Sequence, residues 1–120
     1  MKRVVIVDDS MFMRNLVKGA IEPYFEVVGE AADGETAIDM ILELNPDLVT
    51  LDNILPDMIG TDICKTINED GGFTGKVIMI SAVGQESIIQ EGKDNGATDY
   101  IIKPFTNDDV KDVLEKNNLI

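Results

Sequence analysis

The chain has 120 residues, 44% hydrophobic and 28% charged, with 23 Asp and Glu against 10 Lys and Arg and a formal net charge of −13. That length suits one sizeable core and is too short for two, so a single domain over residues 1–120 is expected. The charge repels nucleic-acid backbones and anionic lipid surfaces, and the apolar runs of four or five residues fall far short of the roughly 20 that cross a bilayer, so a cytoplasmic protein is expected.

Val4-Val5-Ile6-Val7 is a β-branched run of the kind found in a central strand covered on both faces, and it ends on Asp8-Asp9. Ser10 can cap a helix whose apolar positions Met13, Leu16, Val17, Ala20 and Ile21 follow helical spacing, with Pro23 closing it. A second strand covers residues 26–31, weakened by Gly29. Asp33 caps the next helix, with Ala37, Ile38, Ile41, Leu42 and Leu44 inward, and Asn45-Pro46 stops it. Leu48–Asp52 is a buried strand ending on a carboxylate, followed by a loop containing Pro56 and a helix over Gly60–Glu69 with Ile63 and Ile67 inward.

Asp70-Gly71-Gly72 reads as a turn. Residues 76–81 form a fourth apolar strand ending on Ser81, and the helix after it, residues 85–95, is poor: Ile88 and Ile89 are its large apolar residues and Gly92 weakens it. Asn95-Gly96 suits a left-handed stop. Residues 99–102 form a fifth strand that leads into Lys103-Pro104-Phe105. A last helix opens on Thr106 or Asn107 as cap and turns Val110, Val113 and Leu114 inward.

Five strands alternating with five helices through short loops specify an α/β fold, a parallel sheet with helices on both faces. In such folds ligands bind beyond the carboxyl ends of the strands. Those ends carry Asp8, Asp9, Asp52, Ser81 and Lys103. Three convergent carboxylates repel one another unless a cation neutralises them, and with no histidine and a single cysteine, Cys64, the donors are oxygens. That points to a hard ion, Mg²⁺ or Mn²⁺. A cation, the Lys103 ammonium and the Ser81 hydroxyl together suit a phosphoryl group, and the ionised Asp52 is a nucleophile that needs no base.

Other phosphate and metal motifs fail. Gly75-Lys76 lacks the glycine of a P-loop and is followed by Val77. An EF-hand aligned on Gly71 would place Thr66 first and Val77 last, neither a usual ligand there. A Mg²⁺-dependent phosphatase with an aspartyl nucleophile would want a second Asp two residues after the first, where Ile54 stands. A pure binding module that carries no phosphoryl chemistry predicts a broken polar set, and here all five polar positions are present. Cys64, between Ile63 and Ile67, reads as a small core residue.

Val-Asp-Asp-Ser at 7–10, Leu51-Asp52 with Pro56 and Gly60, Ser81-Ala82 and Lys103-Pro104-Phe105 together resemble the receiver domains of two-component response regulators, from Arg3 to the last helix. The segments at 10–14 and 81–86 are most similar to free-standing chemotaxis regulators, the archaeal type among them. The resemblance implies a flavodoxin-like, doubly wound five-stranded sheet in the order 2-1-3-4-5. It also implies Asp52 as phosphoacceptor (4-aspartylphosphate), Asp9 and Asp52 as direct Mg²⁺ ligands, Asp8 acting through water, and the backbone carbonyl of Ile54 as a further ligand. Lys103 would contact the phosphoryl oxygens, Ser81 would close on them as the switch hydroxyl, and Tyr100 would change rotamer. Ile59 departs from the family's usual Asp or Asn before the glycine, so a packed loop exit is expected there.

On this resemblance the donor is a phosphohistidine of a chemotaxis-type histidine kinase, and output is binding of a monomeric regulator to a motor switch or motor-adaptor protein, with a separate phosphatase as a further partner. Past Gly84, Glu86, Glu91, Asp94, Asp99, Asp108, Asp109, Asp112 and Glu115 outnumber Lys93, Lys103, Lys111 and Lys116. A basic partner surface is expected, which favours an archaeal-type adaptor. The weak helix with Gly92 is the expected bistable element. Apolar Ile54 and Val83 at the rim should slow loss of the phosphoryl group.

Overall fold

Three strands lie at the centre of the sheet because their residues are apolar on both faces. The computed structural model describes residues 1–69, 72–82, 84 and 86–120. Its elements are β1 (Lys2–Val7), α1 (Met11–Ile21), β2 (Phe25–Ala31), α2 (Gly34–Leu44), β3 (Leu48–Asp52), α3 (Gly60–Glu69), β4 (Lys76–Ala82), α4 (Glu86–Asp94), β5 (Asp99–Lys103) and α5 (Asn107–Lys116). The strands pair in parallel in the order β2-β1-β3-β4-β5, the order implied by the resemblance.

Successive residues of a strand point to opposite faces, and the two faces build separate cores. Val5, Val7, Val49, Leu51, Val77 and Met79 pack with Ala37, Ile41, Ile63 and Ile67 of α2 and α3. Their neighbours Val4, Ile6, Leu48, Ile78 and Ile80 pack with Val17, Ile21, Val110 and Leu114 of α1 and α5. Helix α4 approaches the first of these faces closely, since a Cβ at Gly92 would lie 2.2 Å from Met79 Sδ.

The caps largely follow the sequence. Ser10 accepts from Met13 N, Asp33 from Thr36 N, and Thr106 from Asp109 N in a reciprocal capping box. Asn45 ends α2 in the left-handed region at φ 42°. Strands β4 and β5 each run one residue beyond the expected end, because Ser81 pairs with Ile102 and Ala82 with Lys103. Leu16 does not turn inward: it is 46% exposed, since Val17, Ala20 and Ile21 occupy the arc of α1 that meets the sheet. Asp70, Gly71, Val83 and Gln85 fall outside the described residues, and with them part of the expected turn, one rim residue and the expected start of α4. Among the described residues no helix is long and apolar enough to cross a membrane.

Candidate functional site

Parallel register gathers the strand-end residues. Val7 stands opposite Leu51, so Asp8 follows beside Asp52; Asp52 is level with Ile80, and Ser81 and Lys103 lie just beyond on β4 and β5. Asp8, Asp9 and Asp52 each offer a carboxylate oxygen, and these oxygens all lie within 4.8 Å of one another. Asp8 and Asp52 are buried, whereas Asp9 is exposed.

The neutralising charge within reach is Lys103, whose Nζ lies 3.0 Å from Asp52 Oδ1 and 3.6 Å from Asp8 Oδ2. Asp52 Oδ1 also accepts from Asn53 N at 2.9 Å, and Asp8 Oδ1 from Ser10 N at 2.9 Å. Asp8 Oδ2 and the buried Ser81 Oγ have no hydrogen-bond partner among the described residues. Burial pushes the Asp8 carboxyl above its usual range; the Ser10 N–H opposes this, the Asp52 charge adds to it, and the net shift is upward.

Three carboxylates facing one ammonium leave the crevice short of positive charge. The donors are oxygens, one of them a buried oxygen without a hydrogen bond, so the residues fit a hard divalent cation. The loop after Asp52 is a tight hairpin: residues 54 and 59 form an antiparallel bridge, and Gly60 N donates to Asn53 O at 2.6 Å. A Cβ at Gly60 would stand 2.7 Å from the Asp52 carbonyl oxygen, so glycine is required there. Ile59 is 41% exposed, which corrects the expectation of a packed loop exit; backbone bonds hold it instead. Ile54 presents an exposed side chain at the rim.

Spacing along the chain did not reveal Arg14. Its Nη1 donates to the Asp8 carbonyl at 2.6 Å and its Nε to Glu30 at 3.3 Å, tying α1 to the end of β1 and to β2. Lys18 completes the pair at 2.7 Å from Glu30, and its hydrogen bond is the main reason the Glu30 carboxyl lies below its usual range. Tyr100 is half-buried, with Lys93 Nζ 5.0 Å from its ring centroid. Lys93 and Tyr100 line a groove of about 540 Å³ with Asp112, Val113 and Lys116. Cys64 is buried and its thiol is pushed up to about 12 by desolvation, so it is an inert core residue.

A doubly wound sheet in this order, with carboxylates gathered at its carboxyl edge, defines a flavodoxin-like protein with an acidic crevice. The sequence profile of the response regulator receiver domain matches residues 4–115, and the chain belongs to that family. It is 42% identical over 116 residues to the chemotaxis protein CheY of Thermotoga maritima, covering 96% of each chain. It is 40% identical over 114 residues to the CheY of Halobacterium salinarum, covering 94% of this chain and 93% of that one. Among solved structures, a chain of the CheX–CheY–BeF3–Mg²⁺ complex of Borrelia burgdorferi matches with a TM-score of 0.86 and 34% identity, over 96% of this chain and 88% of that chain.

Proposed function

We propose that the chain is a chemotaxis-type response regulator that accepts a phosphoryl group on Asp52 and switches its binding to another protein. The observation that carries this reading is the convergence of three carboxylates, one lysine and a buried serine hydroxyl with no hydrogen-bond partner among the described residues, all at one sheet edge. An Asp52 oxygen attacks phosphorus in line; the new O–P bond forms as the donor's N–P bond breaks, and the electron pair returns to the donor imidazole. Lys103 stands where it can hold a phosphoryl oxygen. Ser81 gains a partner for its orphaned hydroxyl when it turns to the same group.

Asp9, Asp52 and the Ile54 carbonyl would hold Mg²⁺, with Asp8 acting through water, and the ion would supply charge stabilisation of the transferring oxygens. Burial of the nucleophile beside Lys103 positions it, and apolar Ile54 at the rim hinders an attacking water. Movement of Ser81 and Tyr100 biases α4, whose seat on Met79 is close-fitting.

The partners in this reading are a cytoplasmic histidine kinase as donor, a motor or motor-adaptor protein as target, and a separate phosphatase. The target surface is basic. On α4 and α5, Glu86, Glu91, Asp94, Asp108, Asp109, Asp112 and Glu115 outnumber the lysines, of which Lys111 lies 3.7 Å from Glu115 and Lys116 is 3.6 Å from Asp99. Asp99 is subtracted from that acidic face because it is buried.

Incubation with acetyl phosphate and Mg²⁺, followed by intact mass spectrometry, tests the assignment. Wild type gains one phosphoryl group, labile to hydroxylamine, and Asp52→Asn gains none. Equal labelling of the two proteins would overturn it.

A further inference from the structure

We propose that Asp57 is a positioning residue that clasps the loop after Asp52 to the start of α2, and by that clasp sets the affinity of the acidic crevice for its cation. The proposal rests on the cation site assigned above and names a residue outside it.

Asp57 lies at the tip of the loop, exposed, where an acidic side chain ordinarily does little. Here both of its oxygens are used. Oδ1 accepts from Gly34 N at 2.7 Å and Oδ2 from Glu35 N at 3.0 Å, donors 23 and 22 residues away in the chain. The first amides of a helix lack partners within the helix. Helix α2 already has its own cap, since Asp33 Oδ1 accepts from Thr36 N at 2.8 Å. The helix therefore does not need Asp57 in order to start, whereas the loop has no other such side-chain anchor at its tip among the described residues. The Gly34 and Glu35 N–H groups, in that order, hold the Asp57 carboxyl below its usual range.

Contact between loop and helix is close as well as polar. Gly34 is buried, and a Cβ there would lie 2.2 Å from Met58 Cγ and 3.2 Å from Asp57 Oδ1. Below the tip the loop is stiff: Leu55 N donates to Met58 O at 3.1 Å, residues 54 and 59 bridge, and Gly60 N donates to Asn53 O. A stiff hairpin fixed at its tip fixes its base. The base carries the Ile54 carbonyl and abuts Asp52, two of the proposed ligand positions, so release of the tip loosens the crevice without removing any ligand.

A purely structural capping role predicts something different, and Asp33 provides the control because it caps the same helix and has no hydrogen bond to the loop among the described residues. Three variants, Asp57→Ala, Asp57→Asn and Asp33→Ala, would be compared with wild type by calorimetric titration with Mg²⁺, by amide hydrogen exchange of the metal-free proteins, and by thermal unfolding. Asp57→Ala should raise the Mg²⁺ Kd on the order of ten-fold and speed exchange at Leu55 and Gly60. Asp57→Asn, keeping one acceptor, should fall between it and wild type. Asp33→Ala should lower the unfolding temperature with the Mg²⁺ Kd and those two amides unchanged. Unchanged Kd in Asp57→Ala, or an equal rise in Asp33→Ala, would overturn the clasp while leaving the cation site standing. Wild type without Mg²⁺ binding would overturn the cation site and the clasp with it.

Discussion

The two ends of the sheet both bury carboxylates, and they provide for them differently. At the amino end of β5, Asp99 accepts from Tyr100 N at 2.8 Å and from Asn117 Nδ2 at 2.9 Å, with Lys116 Nζ at 3.6 Å. Burial would raise its carboxyl, but the Asn117 amide, the Tyr100 N–H and the Lys116 and Lys93 charges together outweigh burial and hold it below the usual range. At the carboxyl end of the sheet, Asp8 is just as buried, and burial wins: its carboxyl lies above the usual range and one oxygen lacks a hydrogen bond among the described residues. A carboxylate whose every need is met is a strut. One left short of donors beside two more carboxylates is poised for a ligand that brings positive charge.

Replacing Lys103 by Met should have the largest effect on this contrast, because it removes the one cation paired with Asp8 and Asp52 among the described residues. Unfolding in EDTA should show a loss of about 2–3 kcal/mol, less than for a fully buried pair because the lysine is partly exposed. Saturating Mg²⁺ should recover part of that loss.

Asp99→Ala removes the acceptor of the Tyr100 N–H and of one Asn117 amide N–H, the other still donating to Val113 O, and should cost about 2 kcal/mol, with phosphoryl labelling of Asp52 retained. The sign of its pH dependence follows from a carboxyl depressed on folding. The stability it contributes is present above the unfolded value, near the ordinary 3.8, and is lost as pH falls through the lower folded value. Asp99→Asn should therefore flatten the acid limb of the stability curve below about pH 4, measured by urea unfolding at several pH values.

The smallest effect is expected at Lys116, whose side chain is 74% exposed. Lys116→Ala should cost about 0.5 kcal/mol or less, and the difference should fade in high salt. A larger, salt-insensitive cost would mean that Lys116, and not Asn117, is what satisfies Asp99.

Much of this contrast was legible in the sequence at one end and hidden at the other. Residues 4–7 and 77–80 are apolar at consecutive positions and 48–51 are broken by Thr50 alone, so the chain itself declares central strands buried on both faces, and whatever follows them must sit at the sheet edge. Asp8, Asp52 and Ser81 could be assembled on that ground alone, and Lys103 from the end of the fifth strand. Asp99 could not: a strand that begins with Asp looks solvated, and its burial depends on Asn117, 18 residues later, beyond the end of α5. Arg14 and Asp57 escaped for the same reason, since their partners Asp8 O and Gly34 N are chosen by the packing of separate elements. Leu16 and Ile59 erred in the opposite direction. Helical spacing and hydrophobicity placed them inside, yet no neighbouring element covers them.

Unfolding of Asp8→Asn, with and without Mg²⁺, reaches the central claim most directly, because it removes the charge that burial disfavours and keeps the shape of the side chain. Without metal at neutral pH, Asp8→Asn should be more stable than wild type, since the ionised Asp8 opposes folding once pH exceeds its raised folded value. Added Mg²⁺ should stabilise wild type and have much less effect on the variant. A metal-free Asp8→Asn that is less stable than wild type, as Asp99→Asn should be, would contradict the account, for it would make Asp8 a strut as well.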